Sequence, residues 1–134
     1  MKYDTLAEMA KEALKKAYAP YSGCKVGAAL LTSDGKVFTG CNIENSAFTP
    51  TCCAERTAIF KAVSEGYLSF EAIAVAGEAD GKSGDIFPPC GVCRQVMAEF
   101  CDPDNFKILL VHKDGYDEKL LRELLPAAFG RNYM

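Results

Sequence analysis

The chain has 134 residues, 49% of them hydrophobic and 25% charged, a composition typical of a globular protein that argues against disorder or a fibrous design. This length suits one hydrophobic core and is too short for two, so a single domain over residues 1–134 is predicted. The net charge of −3 argues against DNA or RNA as partners, because such affinity comes mainly from Lys and Arg.

The N-terminus alternates charged and apolar residues, and no stretch reaches the roughly 18 apolar residues of a membrane span, so neither a signal peptide nor a membrane partner is predicted. Seven cysteines would suit a secreted disulfide scaffold, but their odd number and the lack of a leader favour reduced thiols or metal ligands in a cytoplasmic protein. The single histidine, His112, ends an apolar segment and is interpreted as structural rather than as a metal ligand.

The first predicted element is an amphipathic helix, whose apolar residues recur at three- and four-residue steps over 6–17. Thr5 and Glu8 have the spacing of a capping box at its start, and Pro20 ends it. A hairpin follows, because the segments 26–31 and 36–41 flank an Asp-Gly pair of the kind found in tight antiparallel turns.

After an irregular stretch, apolar residues over 54–63 predict a second helix, which Gly66 ends. The later predicted elements are a strand over 72–76, a loop over 77–85, a helix that begins at Cys90, a strand over 108–112, a turn at Asp114-Gly115 with a further strand after it, and a helix over 120–125. This alternation favours an α/β fold, a three-layer α-β-α sandwich around a mixed sheet of about five strands that begins with the hairpin.

A split cysteine pattern is the strongest functional signal. Cys53 stands at the start of the second predicted helix, and Cys90 and Cys93 stand at the start of the third. Helix starts favour the thiolate form, so the three cysteines predict a zinc site if the two starts converge. No fourth protein ligand is evident, and catalytic zinc sites keep that position for water. Cys52 points about 100° away from Cys53 around the helix and is not an expected ligand.

Charged residues beside this cluster help to distinguish a catalytic zinc site from a structural one. Glu55 lies two positions after Cys53, where a carboxylate can accept and return a proton without binding the metal, and it is the predicted catalytic residue. The alternative is an ordinary helix N-terminal acid. Arg56 is predicted to hydrogen-bond the cysteine sulfurs and offset their charge, and Arg94 is a second candidate for that role; the alternative for both is a surface charge.

Further segments share a pattern with a known family. They are Tyr21-Ser22, Val-Gly-Ala-Ala-Leu at 26–30, Gly-Cys-Asn-Ile-Glu-Asn at 40–45, Cys-Ala-Glu-Arg-Thr-Ala at 53–58, Pro-Cys-Gly-Val-Cys-Arg-Gln at 89–95 and Glu-Leu-Leu-Pro at 123–126. Together they resemble the cytidine deaminases, which are zinc nucleoside deaminases. The resemblance implies hydrolytic deamination of cytidine and 2′-deoxycytidine to uridine and 2′-deoxyuridine, with release of ammonia, in pyrimidine salvage.

The same resemblance implies roles for the metal cluster. Cys53, Cys90 and Cys93 would hold one Zn²⁺ per subunit. Glu55 would take a proton from the attacking water, protonate N3 of the base, and then help the amino group to leave from C4. The backbone at Ala54 would contact the pyrimidine.

Ribose and subunit contacts are also implied by the resemblance. Asn42 and Glu44 would bind the ribose hydroxyls, and Phe129 would enter a neighbouring subunit's active site, which implies a homotetramer. Read alone, Asn42-x-Glu44 is typical of a turn after a strand, and Phe129 of simple terminal packing. A carboxylate at Glu44 would repel a 3′-phosphate, so the free nucleoside is the expected substrate.

Two positions depart from the family pattern. Cys24 stands where Phe is usual beside the nucleoside, and Phe48 where Tyr is common, so an aromatic wall and a hydroxyl hydrogen bond are expected to be lost. Two other functions stay open at this point. One is deamination of a modified cytosine nucleoside such as blasticidin S, for which Cys24 leaves room. The other is a non-enzymatic zinc module that Cys52 closes.

Overall fold

Helices cover both faces of a mixed sheet in this protein, whose computed structural model describes residues 3–79 and 82–134. The elements along the chain are α1 (Tyr3–Leu14), β1 (Cys24–Thr32), β2 (Val37–Cys41), α2 (Ala54–Ser64), β3 (Phe70–Ala79), β4 (Lys82–Ser83), α3 (Gly91–Phe100), β5 (Lys107–His112), β6 (Gly115–Leu120) and α4 (Leu121–Leu124), with a 3₁₀ turn at Arg131–Tyr133. None of these helices is long and apolar enough to cross a bilayer.

Five strands lie side by side in the order β2-β1-β3-β5-β6, and the two-residue β4 pairs with the end of β3. Only the β3–β5 pair is parallel among the described strands, and α3 makes the crossover between them. The predicted mixed sheet of about five strands is therefore confirmed, and so is its opening antiparallel hairpin of β1 and β2.

The geometry of the turn between β1 and β2 explains why an Asp-Gly pair predicts a hairpin here. The backbone N–H of Thr32 donates to the carbonyl of Lys36 at 2.8 Å, which closes the turn. Gly35 has φ of +95°, a left-handed conformation that glycine adopts without the clash that a Cβ would cause. The Asp34-Gly35 pair therefore sets the register of β1 against β2.

The layers follow from the burial pattern. On one face, the buried apolar residues of α1 pack against alternate residues of the sheet. This core includes Leu6 and Ala10 of α1 and Ala29, Leu31, Ala74 and Leu109 of the sheet. On the other face α2 and α3 pack against the intervening residues, which include Leu30, Ile73, Val75 and Ile108. Since successive strand residues point to opposite faces, the same strands supply both cores, as the predicted three-layer sandwich requires.

The ends of α1 differ from the prediction. The helix already includes Tyr3, so Thr5 lies inside it and the capping box was wrong. Tyr3 is held by a hydrogen bond from its hydroxyl to Glu71 at 2.8 Å, a contact to β3 that no local pattern reveals. The helix also ends at Leu14 rather than at residue 17, because the backbone N–H of Tyr18 donates to the carbonyl of Asn42 at 3.0 Å and draws the chain into an extended path.

β3 is longer than predicted, and part of the predicted loop 77–85 is strand. β3 continues to Ala79 because β1 runs beside it as far as Cys24, which supplies partners for its backbone groups. Lys82–Ser83 then turns back as β4, while residues 80 and 81 of that predicted loop lie outside the described residues. The strand expected after Asp114-Gly115 is present as β6, and the last helix is shorter than predicted.

Candidate active site

Two helix starts meet beyond the end of β3. Cys53 is the N-cap of α2 and Cys90 the N-cap of α3, both with extended backbone, and Cys93 lies in the first turn of α3. The Sγ atoms of Cys53 and Cys90 are 3.7 Å apart, and those of Cys90 and Cys93 are 3.5 Å apart. All three sulfurs lie within 4.8 Å of one another, so the convergence that the split pattern needed is present.

This arrangement fits a zinc ion. Tetrahedral zinc with bonds of about 2.3 Å to sulfur separates two ligand sulfurs by about 3.8 Å, close to the distances observed. Thiolates at helix starts are soft ligands that also gain from the helix dipole. Among the described residues, the three sulfurs leave one tetrahedral position without a protein ligand, which is the pattern of a catalytic rather than a structural site.

Cys52 and His112, the other residues weighed as ligands, are not part of the sulfur cluster among the described residues. The Cys52 sulfur accepts a hydrogen bond from the Thr57 hydroxyl at 3.6 Å. The Nε2 atom of His112 lies 3.3 Å from Asp117, and its Nδ1 accepts from the Asp114 N–H at 3.2 Å in the turn between β5 and β6, in agreement with the structural interpretation.

Hydrogen bonds within the cluster shift the pKa values of its thiols. Hydrogen bonding with Cys93, supplemented by Arg56 and Cys90, lowers the pKa of Cys53 to about 5, whereas hydrogen bonding with Cys53 and burial raise the pKa of Cys93. The Nη2 of Arg56 donates to the Cys53 sulfur at 3.4 Å and to the Thr51 carbonyl at 3.4 Å. Arg56 therefore lies where the sequence placed it, with its positive charge against a thiolate.

Arg94 donates its hydrogen bonds to backbone carbonyls. Its Nε donates to the carbonyl of Pro89 at 2.7 Å, and its Nη1 donates to the carbonyl of Leu124 at 2.7 Å. These bonds connect the segment before Cys90 to α4, and the partners of the Arg94 side chain among the described residues include no sulfur. The interpretation of Arg94 as a partner of the cysteine sulfurs was therefore wrong, because its side chain runs back along α3 toward the C-terminal segment.

Glu55 is buried beside the cysteines. Glu55 is the second residue of α2 and is only 4% exposed. Such burial is rare for a carboxylate that has no charged partner or ligand beside it. Burial, reinforced by the negative charge of Cys53, raises the pKa of Glu55 to about 7. An ordinary helix N-terminal acid would lie in solvent, so the burial of Glu55 distinguishes it from the alternative interpretation.

A cavity of about 260 Å³ opens in front of this cluster. The predicted site residues that line it are Asn42, Glu44, Cys53, Ala54, Glu55 and Cys90. The lining also includes Ser22, Val26, Thr51, Phe87 and Pro88, none of which the sequence had assigned to the site, together with Cys24 and Cys52. Position next to a motif was the available signal: Phe87 and Pro88 directly precede the Pro-Cys-Gly segment, and Ser22 lies in a segment that carries the family resemblance.

Asn42 is held at the sheet edge by both ends of its amide. Its Oδ1 accepts from the backbone N–H of Val26 at 2.8 Å, and its Nδ2 donates to the carbonyl of Cys24 at 2.8 Å. One N–H of the amide remains after these bonds. The turn interpretation was wrong for this backbone, because Ile43 forms isolated β-bridges with Tyr18 and Cys52, which keep the chain extended after β2. The side chain of Asn42 is fixed against β1.

Glu44 is oriented by the segment before β1. Its Oε1 accepts from the backbone N–H groups of Tyr21 at 2.9 Å and Ser22 at 3.1 Å, and its Oε2 accepts from the Ser22 hydroxyl. Hydrogen bonding to Ser22 lowers the pKa of Glu44, so it presents a carboxylate at the mouth of the cavity.

Phe129 lies away from this cavity within its own chain. The residue is 59% exposed, and its ring stacks on that of Tyr133 with the centroids 5.7 Å apart. Its carbonyl accepts a hydrogen bond from Gln95 of α3 at 2.9 Å. The ring is therefore stacked within the C-terminal segment and largely exposed, and its role in a neighbouring subunit stays a prediction.

The family model of the cytidine and deoxycytidylate deaminase zinc-binding region matches residues 1–108, most of the chain. The chain belongs to this family. The matched part of this deaminase-family protein contains all three cysteines of the cluster, Glu55, Asn42 and Glu44, whereas Phe129 lies beyond it.

Individual relatives agree with this membership. The cytidine deaminase of Sporosarcina psychrophila is 48% identical over 131 residues, which are 98% of this chain and 93% of the relative. That of Halalkalibacterium halodurans is 52% identical over 125 residues, which are 92% of this chain and 91% of the relative. The crystal structure of cytidine deaminase from Burkholderia pseudomallei superposes with a TM-score of 0.87 at 48% identity, covering 96% of this chain and all of the other.

Proposed function

We propose that this deaminase-family protein is a hydrolase that converts cytidine and 2′-deoxycytidine to uridine and 2′-deoxyuridine, with release of ammonia, in pyrimidine salvage. One observation carries the proposal: a buried carboxylate, Glu55, lies beside three converging thiols, and it lines a cavity that Asn42 and Glu44 also line. Relatives named cytidine deaminase over nearly the full chain support it.

Cys53, Cys90 and Cys93 are the proposed ligands of one zinc ion per subunit. When bound, zinc lowers the pKa of water and so makes a nucleophile available at neutral pH. Arg56 contributes by donating to the Cys53 sulfur, which reduces the negative charge that three thiolates would place on the site. The sulfurs are held at two helix starts, so their position depends on the packing of α2 and α3.

Glu55 is the proposed proton carrier. It accepts a proton from the water that attacks C4 and delivers this proton to N3 as the new C–O bond forms. It then moves the remaining hydroxyl proton to the amino group, the C4–N bond breaks, and ammonia leaves while C4 keeps a carbonyl oxygen. A carboxylate that is shielded from bulk water is suited to both steps, since it can act as base and then as acid.

Asn42, Glu44 and Ala54 are the proposed substrate contacts. The free N–H of Asn42 is a donor for a ribose oxygen, since its other polar groups are bonded to β1. Glu44 accepts three hydrogen bonds from Tyr21 and Ser22, and a carboxylate has room for about one more, from the 3′-hydroxyl. Its negative charge disfavours a 3′-phosphate, so we propose a free nucleoside rather than DNA or RNA. The backbone at Ala54 contacts the pyrimidine.

A homotetramer with shared active sites is also proposed. The exposed ring of Phe129 is available to a neighbouring subunit, and the surface beside Glu44 carries the exposed aromatic residues Tyr21 and Phe48. Burial of such residues between subunits would remove apolar area from water. A single domain over residues 1–134 and a cytoplasmic location stay predictions; the seven free thiols are consistent with a reducing compartment.

A spectrophotometric assay of cytidine conversion, run beside zinc analysis, tests the function. Glu55→Gln is expected to keep its zinc and its fold while losing deamination by several orders of magnitude, because the proton carrier is removed. Glu65→Gln, the same substitution at the far end of α2, is the matched control and should keep normal activity. Near-normal activity of Glu55→Gln would reject the mechanism.

The two other functions have distinct outcomes in the same assay. A non-enzymatic zinc module would show no turnover in the parent protein, and it would need Cys52 as a fourth ligand, but Cys52 is not in the sulfur cluster. A blasticidin S deaminase is not favoured, because the relatives named above are cytidine deaminases. Product analysis with cytidine and blasticidin S side by side would separate these enzymes.

A further inference from the structure

The cavity keeps an aromatic wall even though Cys24 stands where an aromatic residue was expected. Phe87 is the only aromatic side chain among the described residues that line it. It comes from the segment between β4 and α3, three positions before the proposed ligand Cys90. An aromatic ring in a cavity that also holds a proton carrier and ribose-binding groups is a natural contact for a planar base, because bases stack favourably on such rings.

Phe87 is seated by Gly77 of β3. A Cβ placed on Gly77 would lie 2.2 Å from the Cγ and Cδ1 atoms of the Phe87 ring, so the ring lies directly against the glycine backbone. Gly77 pairs with Val26, which also lines the cavity. The absence of a side chain on Gly77 therefore leaves the space that the Phe87 ring occupies against the sheet.

Cys24 and Phe87 share this part of the wall. Cys24 pairs with Ala79, so it is a diagonal neighbour of Gly77 on the same face of the sheet. Diagonal neighbours in antiparallel pairs lie about 7–8 Å apart, within the reach of an aromatic side chain. A large ring at position 24 would compete with the Phe87 ring for the volume over Gly77, whereas a cysteine leaves it free.

We propose that Phe87 is a specificity-determining residue that packs against the cytosine base, and that Cys24 is the small residue that makes room for it. The inference rests on the proposed function, and it changes one expectation from the sequence: the aromatic wall has moved from β1 to the segment before α3 rather than being lost. Base binding then depends on two positions that are 63 residues apart in the chain but adjacent over Gly77.

A double-mutant cycle with cytidine tests the inference. Phe87→Leu is expected to raise KM about tenfold with a smaller change in kcat, because the stacked base loses its ring. Cys24→Phe alone should also raise KM, because two rings crowd the wall. In the double variant Cys24→Phe/Phe87→Leu, KM should return to within about threefold of the parent value, since position 24 then supplies the ring. The dissociation constant of uridine, measured by calorimetry, should follow the same order.

The matched control is Phe60→Leu, the same substitution at a half-exposed residue of α2 that does not line the cavity, and it should leave KM unchanged. If Phe87→Leu turns over cytidine with an unchanged KM and an unchanged affinity for uridine, the role of Phe87 is overturned while the proposed function stands. Additive effects of the two substitutions, with no recovery in the double variant, would overturn the compensation by Cys24. Absence of cytidine turnover in the parent protein would overturn the proposed function and this inference with it.

Discussion

Asn42 joins the edge of the sheet to the proposed ribose site, and replacing it tests both roles at once. Asn42→Ala removes two hydrogen bonds of 2.8 Å, one from the Val26 N–H and one to the Cys24 carbonyl. At about 1 kcal/mol each, their loss should lower the free energy of unfolding by about 2 kcal/mol. For a domain of this size that corresponds to a fall in Tm of about 6 °C.

The catalytic effect of the same change is separate from the loss of stability. Removal of the remaining N–H of Asn42 should cost one neutral hydrogen bond to the ribose, about 1 kcal/mol, which raises KM for cytidine about fivefold. A 2′,3′-dideoxy substrate lacks the hydroxyl partners, so the substitution should change its KM much less. Steady-state kinetics at a temperature well below both Tm values, together with calorimetric unfolding, measures the two effects independently.

Asn105→Ala is the matched control, because the Asn105 side chain bonds to Asp102 within an exposed turn after α3 and to no other described residue. It should shift neither KM nor Tm by a measurable amount. A lower Tm of Asn42→Ala with an unchanged KM would show that Asn42 holds the start of β1 and does not contribute to substrate binding. An unchanged Tm would refute the reasoning from the two hydrogen bonds.

Two further predictions concern the metal and the subunits. Cys93→Ala should lose most of its zinc, whereas Cys52→Ala should keep about one equivalent, because Cys93 belongs to the sulfur cluster and Cys52 does not. Elemental analysis measures both, and equal zinc contents in the two variants would contradict the ligand assignment. The variants Glu55→Gln and Phe129→Ala should each have low activity alone. If Phe129 acts in a neighbouring subunit, an equal mixture of the two, dissociated and reassembled, should regain activity in about a quarter of the sites, because those sites combine an intact Glu55 with an intact Phe129 of the neighbour. Failure to regain activity after verified subunit exchange would reject shared sites.

Several features of the fold and of the chemistry were predictable from the sequence because they depend on neighbouring residues. Asp34-Gly35 predicts the hairpin, since the turn needs a left-handed residue and glycine accepts it at little cost. The apolar periodicity of α2 and α3 predicts helices whose starts carry Cys53 and Cys90. The residue types and spacings at these starts indicate zinc-type ligands, with an acid two positions after the first.

Other features were decided by contacts between distant parts of the chain. Helix α1 begins before Thr5 because Tyr3 is bonded to Glu71, and β3 extends past residue 76 because β1 continues beside it. Arg94 turns to Pro89 and Leu124 because α4 packs near the start of α3. Local propensity cannot anticipate such partners, since each one depends on where the sheet places a segment many residues away.

The sequence by itself therefore determined the chemical groups of this protein: three thiols, one carboxylate beside them, and polar residues suited to a nucleoside. Only the tertiary structure decided their arrangement, because the distance between Cys53 and Cys90 depends on how α2 and α3 pack on one face of the sheet. The same packing buries Glu55 and seats Phe87 over Gly77. A side chain's reactivity and contacts depend on its surroundings, and those surroundings come from residues that are far apart in the chain.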